Sequence, residues 1–221
     1  MLDNIDINVT LIILLVTCVI SFIAFSNERL INDLIFYPPA ISNRNQWYRF
    51  ITCGFIHADF FHLAFNMYTL YIFGGVVEKA FAEIFDGKGS IIYGALYITS
   101  LVACLLPTYF AHKDNYHYRS LGASGAVSAV IFTGIILYPT MGLQIFPIPI
   151  NIPAFIFGPL YLIVSAYLAK KGRGNINHSA HIWGALFGVV YIIFTCLFLS
   201  NFRPVAHFID EVGFYLGHIG K

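Results

Sequence analysis

The feature that most constrains this chain is an uncharged stretch of 50 residues, from Ser120 to Ala169. A helix crosses a bilayer with about 20 apolar residues, so this stretch is long enough for two spans. Only 10% of all residues are charged and 58% are hydrophobic, whereas soluble domains carry about 25% charge. The chain is therefore predicted to lie in a membrane. The turn between the two spans is expected at Tyr138-Pro139-Thr140 or among Pro147, Pro149 and Pro153.

Uncharged runs predict four more membrane-spanning helices. They lie at Val9–Asn27, at Phe60–Val77, within Gly89–His112 and from about His178 to Ser200. The first run has acidic rather than basic residues before it and no Ala-x-Ala site after it, so we interpret it as a retained helix. The predicted fold is an all-α bundle of six transmembrane helices. Its expected division is a short N-terminal segment (1–8), a membrane domain (9–200) and a short tail (201–221).

The connection Glu28–Asp59 is aromatic and interrupted by prolines and charges, which predicts a long first loop in the membrane interface. With six spans, the second, fourth and sixth helices all begin on the side of the membrane where this loop lies. Polar residues occur at those three beginnings, namely His62 and Asn66, Ser124, and His181. The sequence therefore predicts one polar site near this face.

Gly122-Ala123-Ser124-Gly125 lies where a loop enters the fourth span. A nucleophilic serine needs an accessible oxygen and backbone N–H groups near the oxyanion, and a helix N-terminus favours negative charge. Small residues also pack membrane helices together, and Gly125 with Ala129 forms such a pair. The motif alone favours packing over catalysis.

In the sixth span, His181, Gly184 and Gly188 share one helical face. The two glycines let this helix approach a partner backbone closely, and a fourth-span partner would bring Ser124 to the histidine. Taken alone, a histidine hydrogen-bonded between helices is the simpler interpretation. Ionisable groups within spans are nevertheless functional candidates, because leaving them unpaired is costly.

His62 and Asn66 are four residues apart and lie one above the other on the second span. Both side chains can donate hydrogen bonds to a developing oxyanion. The alternative is a hydrogen-bonded pair that joins two helices.

Together these residues resemble those of the rhomboid family of intramembrane serine proteases, of the bacterial type with six transmembrane helices. The resemblance extends from about Trp47 to Gly188. Each motif is weak alone, but their order and placement are specific. The motifs are Trp47-Tyr48-Arg49, His57, His62-x-x-x-Asn66, Gly74-Gly75-Val76-Val77-Glu78, Gly122-Ala123-Ser124-Gly125 and Ala180-His181-x-x-Gly184-x-x-x-Gly188.

The resemblance implies a serine endopeptidase that cleaves transmembrane segments of other membrane proteins within the lipid bilayer. It implies that Ser124 is the nucleophile and His181 the general base of a dyad, with no cofactor and no metal. The implied oxyanion donors are His62, Asn66 and the Ser124 N–H. The positions that look structural are Arg49, His57, Glu78, Gly122, Gly125, Gly184 and Gly188.

Two positions depart from the family pattern. Many rhomboids have an aromatic residue four positions after the serine, stacked on the histidine, where this chain has Ser128. The histidine is then expected to be oriented differently, by Trp183 or by a hydrogen bond. Tyr48 also separates Trp47 from Arg49, which are adjacent in many members.

Two other functions fit parts of the pattern. A non-catalytic rhomboid-like protein would bind unstable membrane segments, although such relatives usually lack the serine or the histidine. A metal-dependent membrane enzyme or transporter would use His57, His62, His178 and His181, but the sequence has no His-Glu-x-x-His motif. The net charge of +1 provides no field that would gather nucleic acid.

Pro153 and Pro159, beside Gly158, are predicted to loosen the first half of the fifth span, which would suit a lateral gate between the second and fifth helices.

The distribution of charged residues and the family resemblance favour opposite orientations in the membrane. A cytoplasmic N-terminus leaves four Lys and Arg residues inside and eight outside, against the positive-inside rule. The family resemblance favours a multi-pass protein of the cell membrane with a cytoplasmic N-terminus and a site that opens to the extracytoplasmic side.

Overall fold

The computed structural model describes residues 8–145, 148–171 and 177–218. This part of the chain consists of eleven α-helices, a 3-10 turn at Cys53–Phe55 and one antiparallel hairpin. The helices are α1 Val9–Ala24, α2 Glu28–Leu34, α3 Pro38–Arg44, α4 Arg49–Thr52, α5 Phe60–Ile84, α6 Gly89–Ala103, α7 Leu106–His112, α8 Ser124–Leu137, α9 Ala154–Lys171, α10 His178–Leu199 and α11 Pro204–His218.

Four helical stretches in the described residues are long and apolar enough to cross a membrane. They are α5, the combined stretch of α6 and α7, α9 and α10. Two shorter apolar helices, α1 with 16 residues and α8 with 14, correspond to the first and fourth predicted spans. The all-α membrane fold predicted from the sequence is confirmed.

Helix α8 lies at the centre of the bundle and contacts α5, α6, α9 and α10. Nearly all its side chains are buried, so it has no lipid-facing stripe. Its closest partner is α10, and this pair sets the position of the polar end of the bundle.

Side-chain caps fix where several helices begin. The Asp59 carboxylate accepts the His62 N–H at 2.8 Å at the start of α5. The Asn177 side chain accepts the Ala180 N–H at 3.1 Å at the start of α10. Such caps satisfy N–H groups that have no partner within the helix. They define the first turns of the two helices that carry His62 and His181.

Helix α5 continues to Ile84, beyond the predicted end at Val77, so Glu78 lies within it. The Glu78 carboxylate accepts the Val9 N–H at 2.7 Å and the Thr10 N–H at 2.9 Å. The Thr10 hydroxyl also donates to it at 2.7 Å. The free N–H groups and the dipole at the start of α1 thus offset the buried charge, and Glu78 joins α1 to α5.

The predicted first loop contains three short helices, α2, α3 and α4, and the 3-10 turn. Arg49 is buried among them and holds them together. Its Nη1 donates to the carbonyl oxygens of Asn32 and Ile35, both at 2.8 Å, and its Nε donates to the Gln46 side chain at 2.7 Å. The loop is therefore a folded layer.

The connection between α8 and α9 differs from the expected simple turn. It contains strands β1 (Gly142–Ile145) and β2 (Ile148–Pro153), and Pro147 lies outside the described residues. Pro153 pairs with Gly142 in the hairpin, so the prediction that it lies in the fifth helix is wrong. Only Pro159 of the two prolines lies within α9. Because a proline is compatible with an edge strand, the hairpin accommodates Pro153 without breaking a helix.

Residues 204–218 of the expected tail form helix α11, which packs against α8 and α10. His207 Nε2 donates to the Leu137 carbonyl oxygen at 2.9 Å, at the end of α8. The ring of Tyr215 contacts that of Phe155, with the centroids 5.7 Å apart. Helix α11 therefore covers the C-terminal end of the short central helix.

Candidate active site

Ser124 is the first residue of α8, and the turn before it is built on Gly122. Gly122 has φ +111°, a conformation that side chains disfavour, and a Cβ there would lie 2.8 Å from the His62 ring. Its N–H donates to the Cys53 carbonyl at 2.9 Å, which anchors the turn to the first loop. Glycine at this position thus lets the loop approach α5 closely. The Ser124 side chain that follows is partly exposed.

The structure brings Ser124 and His181 together across 57 residues of sequence. His181 Nε2 lies 2.6 Å from Ser124 Oγ, within hydrogen-bonding distance. His181 is in the first turn of α10, and both side chains are partly exposed. A histidine in this position can take a proton from a serine hydroxyl.

The pairing depends on backbone contact between α8 and α10. A Cβ at Gly184 would collide with the Gly125 carbonyl oxygen, and one at Gly188 would collide with the Ala129 carbonyl oxygen. The Thr133 hydroxyl also donates to the Gly188 carbonyl at 3.2 Å. These small residues set the separation of the helices that carry the serine and the histidine.

The second predicted pair, His62 and Asn66, lies in the first two turns of α5. The Asn66 side chain is only 4% exposed, and its Nδ2 donates to the His62 carbonyl at 2.9 Å. The His62 ring is partly exposed and lies beside Gly122, two residues before Ser124. His62 therefore flanks the turn that leads to the serine, and Asn66 lies one turn further along α5.

His57 is fully buried beneath this turn, and burial lowers its pKa to about 3, which keeps it neutral. Its Nε2 accepts the Ala123 N–H at 3.4 Å, so Nδ1 carries the proton and donates to Ser21 Oγ at 2.9 Å. The Ser21 hydroxyl in turn donates to the Phe55 carbonyl at 2.9 Å. His57 thus links α1 and the first loop to the residue before Ser124.

Sequence reasoning missed the residue that stacks on the histidine. The ring of Tyr161, on α9, lies over His181 with centroids 6.4 Å apart and planes inclined by 24°. Its hydroxyl lies 2.7 Å from Ser128 Oγ. Trp183, the expected candidate, is 46% exposed instead. The sequence signal for such a residue was Ser128, a small side chain at a position where many rhomboids have an aromatic ring.

The donors proposed for a metal do not form a ligand set in the described residues. No group of three or more His, Cys, Asp or Glu side chains there could hold a metal ion. His57 and His62 face each other edge to face at 5.0 Å, as do His178 and His181 at 5.6 Å. Within the described residues, neither pair therefore has a third ligand.

The fold and the site define a polytopic helical membrane protein with a serine–histidine pair at one end of its bundle. The Rhomboid domain family model matches residues 44–198. The chain therefore belongs to the rhomboid family, as its motifs predicted. Helices α1 and α11, which hold Thr10 and His207, lie outside the matched residues.

Several curated proteins are similar to this chain. RHOMBOID-like protein 12, mitochondrial, of Arabidopsis thaliana is 33% identical over 147 residues, which cover 61% of this chain and 42% of that protein. Rhomboid-like protein 11, chloroplastic, of the same plant is 28% identical over 66% of this chain and 51% of its own length. The human presenilin-associated rhomboid-like protein, mitochondrial, is 31% identical over 72% of this chain and 41% of its own length. The chain thus spans about half the length of these relatives or less.

Proposed function

We propose that this rhomboid protein is an intramembrane serine endopeptidase whose substrates are the transmembrane segments of other membrane proteins. The observation that carries the proposal is the 2.6 Å contact between Ser124 Oγ and His181 Nε2 at the start of α8 and α10. A partly exposed serine hydroxyl beside an imidazole nitrogen is the arrangement that nucleophilic acyl transfer requires.

In the proposed reaction, Ser124 Oγ attacks the scissile carbonyl carbon while His181 Nε2 takes the hydroxyl proton. The tetrahedral intermediate collapses when His181 delivers that proton to the leaving amine, and the C–N bond breaks. A water molecule then attacks the acyl-enzyme while His181 takes its proton, and the ester bond breaks as His181 returns that proton to Ser124 Oγ. The partial exposure of both side chains gives water a route to them.

The proposed oxyanion donors are the Ser124 backbone N–H and the side chains of His62 and Asn66. Asn66 uses one amide N–H on the His62 carbonyl, which leaves its second N–H for another acceptor. The start of α8 adds a favourable field for negative charge. The sequence has no carboxylate residue near His181, which agrees with a dyad rather than a triad.

The other candidate is a non-catalytic rhomboid-like protein that binds unstable membrane segments. A fluorophosphonate probe separates the two, because it forms a covalent bond only with an activated serine. We expect the purified protein in detergent to be labelled at Ser124, and Ser124→Ala to be unlabelled. Ser26→Ala, which changes an exposed serine at the end of α1, is the matched control and should label normally. Absence of labelling of the folded wild-type protein would favour the binding function. Labelling that disappears with a chelator would support a metal-dependent enzyme.

We further propose that the protein lies in the cell membrane with the Ser124 end facing the extracytoplasmic side. Six spans then put both termini in the cytoplasm. A fluorescent protein fused after Lys221 should fluoresce, and alkaline phosphatase fused there should be inactive. The opposite pattern would place the dyad on the cytoplasmic side and change the class of substrates that it can reach.

A further inference from the structure

Tyr161 of helix α9 contacts both helices that carry the proposed dyad. We propose that Tyr161 is the positioning residue for His181, and that it makes the alignment of the dyad depend on the docking of α9 against α8. This inference rests on the proposed function, since positioning has a consequence only if His181 acts on Ser124.

A chain of hydrogen bonds joins Tyr161 to the serine's own backbone. Ser128 lies one turn after Ser124, and its Oγ is 2.8 Å from the Ser124 carbonyl oxygen and 2.7 Å from the Tyr161 hydroxyl. A carbonyl only accepts, and the Ser128 hydroxyl has one proton. Ser128 therefore donates to Ser124, and Tyr161 donates to Ser128. The small side chain at position 128 leaves the space that the Tyr161 hydroxyl enters.

The Tyr161 ring also limits the movement of the His181 imidazole, on which it stacks. In the described residues, His181 makes one side-chain hydrogen bond, through Nε2 to Ser124. A triad would add a carboxylate that fixes the ring orientation; here the offset stack with Tyr161 limits ring rotation instead. Phe132 and Phe157 lie 5.6 and 5.9 Å from the Tyr161 ring centroid and hold it in place.

Beyond α8, α10 and the hairpin, helix α9 has few contacts within the described residues. It packs on α8 and α10 but hardly touches α5, and it exposes the apolar side chains of Leu160, Ile163 and Val164. If α9 tilts away from α8, Tyr161 leaves both Ser128 and His181. Movement of the proposed gate helix is thus coupled to the geometry of the dyad.

The test compares variants of the purified full chain by the kinetics of fluorophosphonate labelling, which separate probe binding (KI) from the chemical step (kinact). Tyr161→Leu removes the ring, and Tyr161→Phe keeps the ring but loses the hydrogen bond. Tyr167→Leu is the matched control, because Tyr167 is on the same helix and 57% exposed. Thermal melting in the same detergent checks that each variant is folded.

We expect Tyr161→Leu to lower kinact about 10- to 100-fold, because small misplacements of reacting groups cost up to about 100-fold in rate. KI should stay within about twofold, and Tyr161→Phe should recover most of kinact. Ser128→Ala removes the same hydrogen bond as Tyr161→Phe, so the double variant should be no slower than either single one. Tyr167→Leu should behave as the wild type.

Three results would overturn the inference. The first is an unchanged kinact in folded Tyr161→Leu. The second is a loss of labelling in Tyr161→Leu that matches its loss of folded protein. The third is an equal loss of kinact in Tyr167→Leu. Failure of the proposed function is distinguishable, because the wild-type protein itself would then not be labelled.

Discussion

Gly184 lies against the carbonyl oxygen of Gly125, and no side-chain atom fits between the two helices at this point. The contact is one turn beyond His181 on α10 and one residue beyond Ser124 on α8. The separation of the Ser124 and His181 side chains is therefore set by backbone packing.

Gly184→Ala is expected to push α10 away from α8, because the obstructing atom is backbone and cannot rotate aside. We expect a loss of at least about 10-fold in labelling of Ser124, since a shift of about 1 Å can cost 100-fold. Gly75→Ala is the matched control, because a Cβ there meets nothing within 4 Å. Equal activity of the two variants would show that the helices adjust without cost.

Ser124→Ala and His181→Ala should each abolish proteolysis while the bundle remains folded. In the proposed mechanism the two residues act as one unit through a single contact, so the double variant should be no worse than either single variant. Cleavage of a membrane-protein substrate in detergent, with melting curves as control, measures this. Substantial residual cleavage by purified Ser124→Ala would contradict the mechanism.

Asn66→Ala should be a milder change than loss of the serine. Removing one oxyanion donor costs roughly 10²–10³ in rate, and the other proposed donors remain. His62→Ala should behave similarly. The measurement is kcat on the same substrate. Full kcat in either variant would leave that residue with a packing role only.

The helices and the pairing of Ser124 with His181 could be predicted because apolar runs and motif spacing are local or family-wide patterns. The contact of Tyr161 with Ser128 could not be predicted. It depends on how α9 docks against α8, and the two residues are 33 positions apart in sequence. The extension of α5 past Glu78 was missed for a similar reason. A charged residue normally marks the end of a span, but here the start of α1 satisfies its carboxylate.

The stability of the fold should depend on pH through His57. The buried ring has a pKa of about 3 in the folded state, whereas an exposed histidine has a pKa near 6.5. The unfolded state therefore binds a proton first as the pH falls, and stability is lost from about pH 6.5 toward pH 3. By linkage this one group costs about 2 kcal/mol at pH 5.

Melting temperatures between pH 7.5 and 5 would test this expectation. His57→Gln should be less stable than the wild type at pH 7.5, because the link to Ala123 and Ser21 is changed. Its stability should also fall less with decreasing pH. His117→Gln, in an exposed loop, should keep the wild-type slope. An unchanged slope in His57→Gln would rule out the assignment.

Linking α9 to α5 should inhibit cleavage of membrane substrates more than cleavage of soluble ones. The two helices hardly touch, so we expect a transmembrane segment to enter between them. Cysteines at facing positions, joined by a bismaleimide, would close it. A cross-link between α5 and α6, which already pack together, is the control. Equal inhibition of both substrates would count against lateral entry.

The fourteen residues of α8 give a rod of about 21 Å, roughly a third shorter than the hydrocarbon layer of a typical bilayer. Folded segments close both of its ends, the first-loop layer near Ser124 and α11 at Leu137. Because Ser124 is at the end of so short a helix, it lies below the headgroups in a thick bilayer and nearer to water in a thin one. For the proposed peptidase, the acyl-chain length of the surrounding lipids would therefore set how far a peptide bond must descend to reach Ser124, and the host membrane would become part of its specificity.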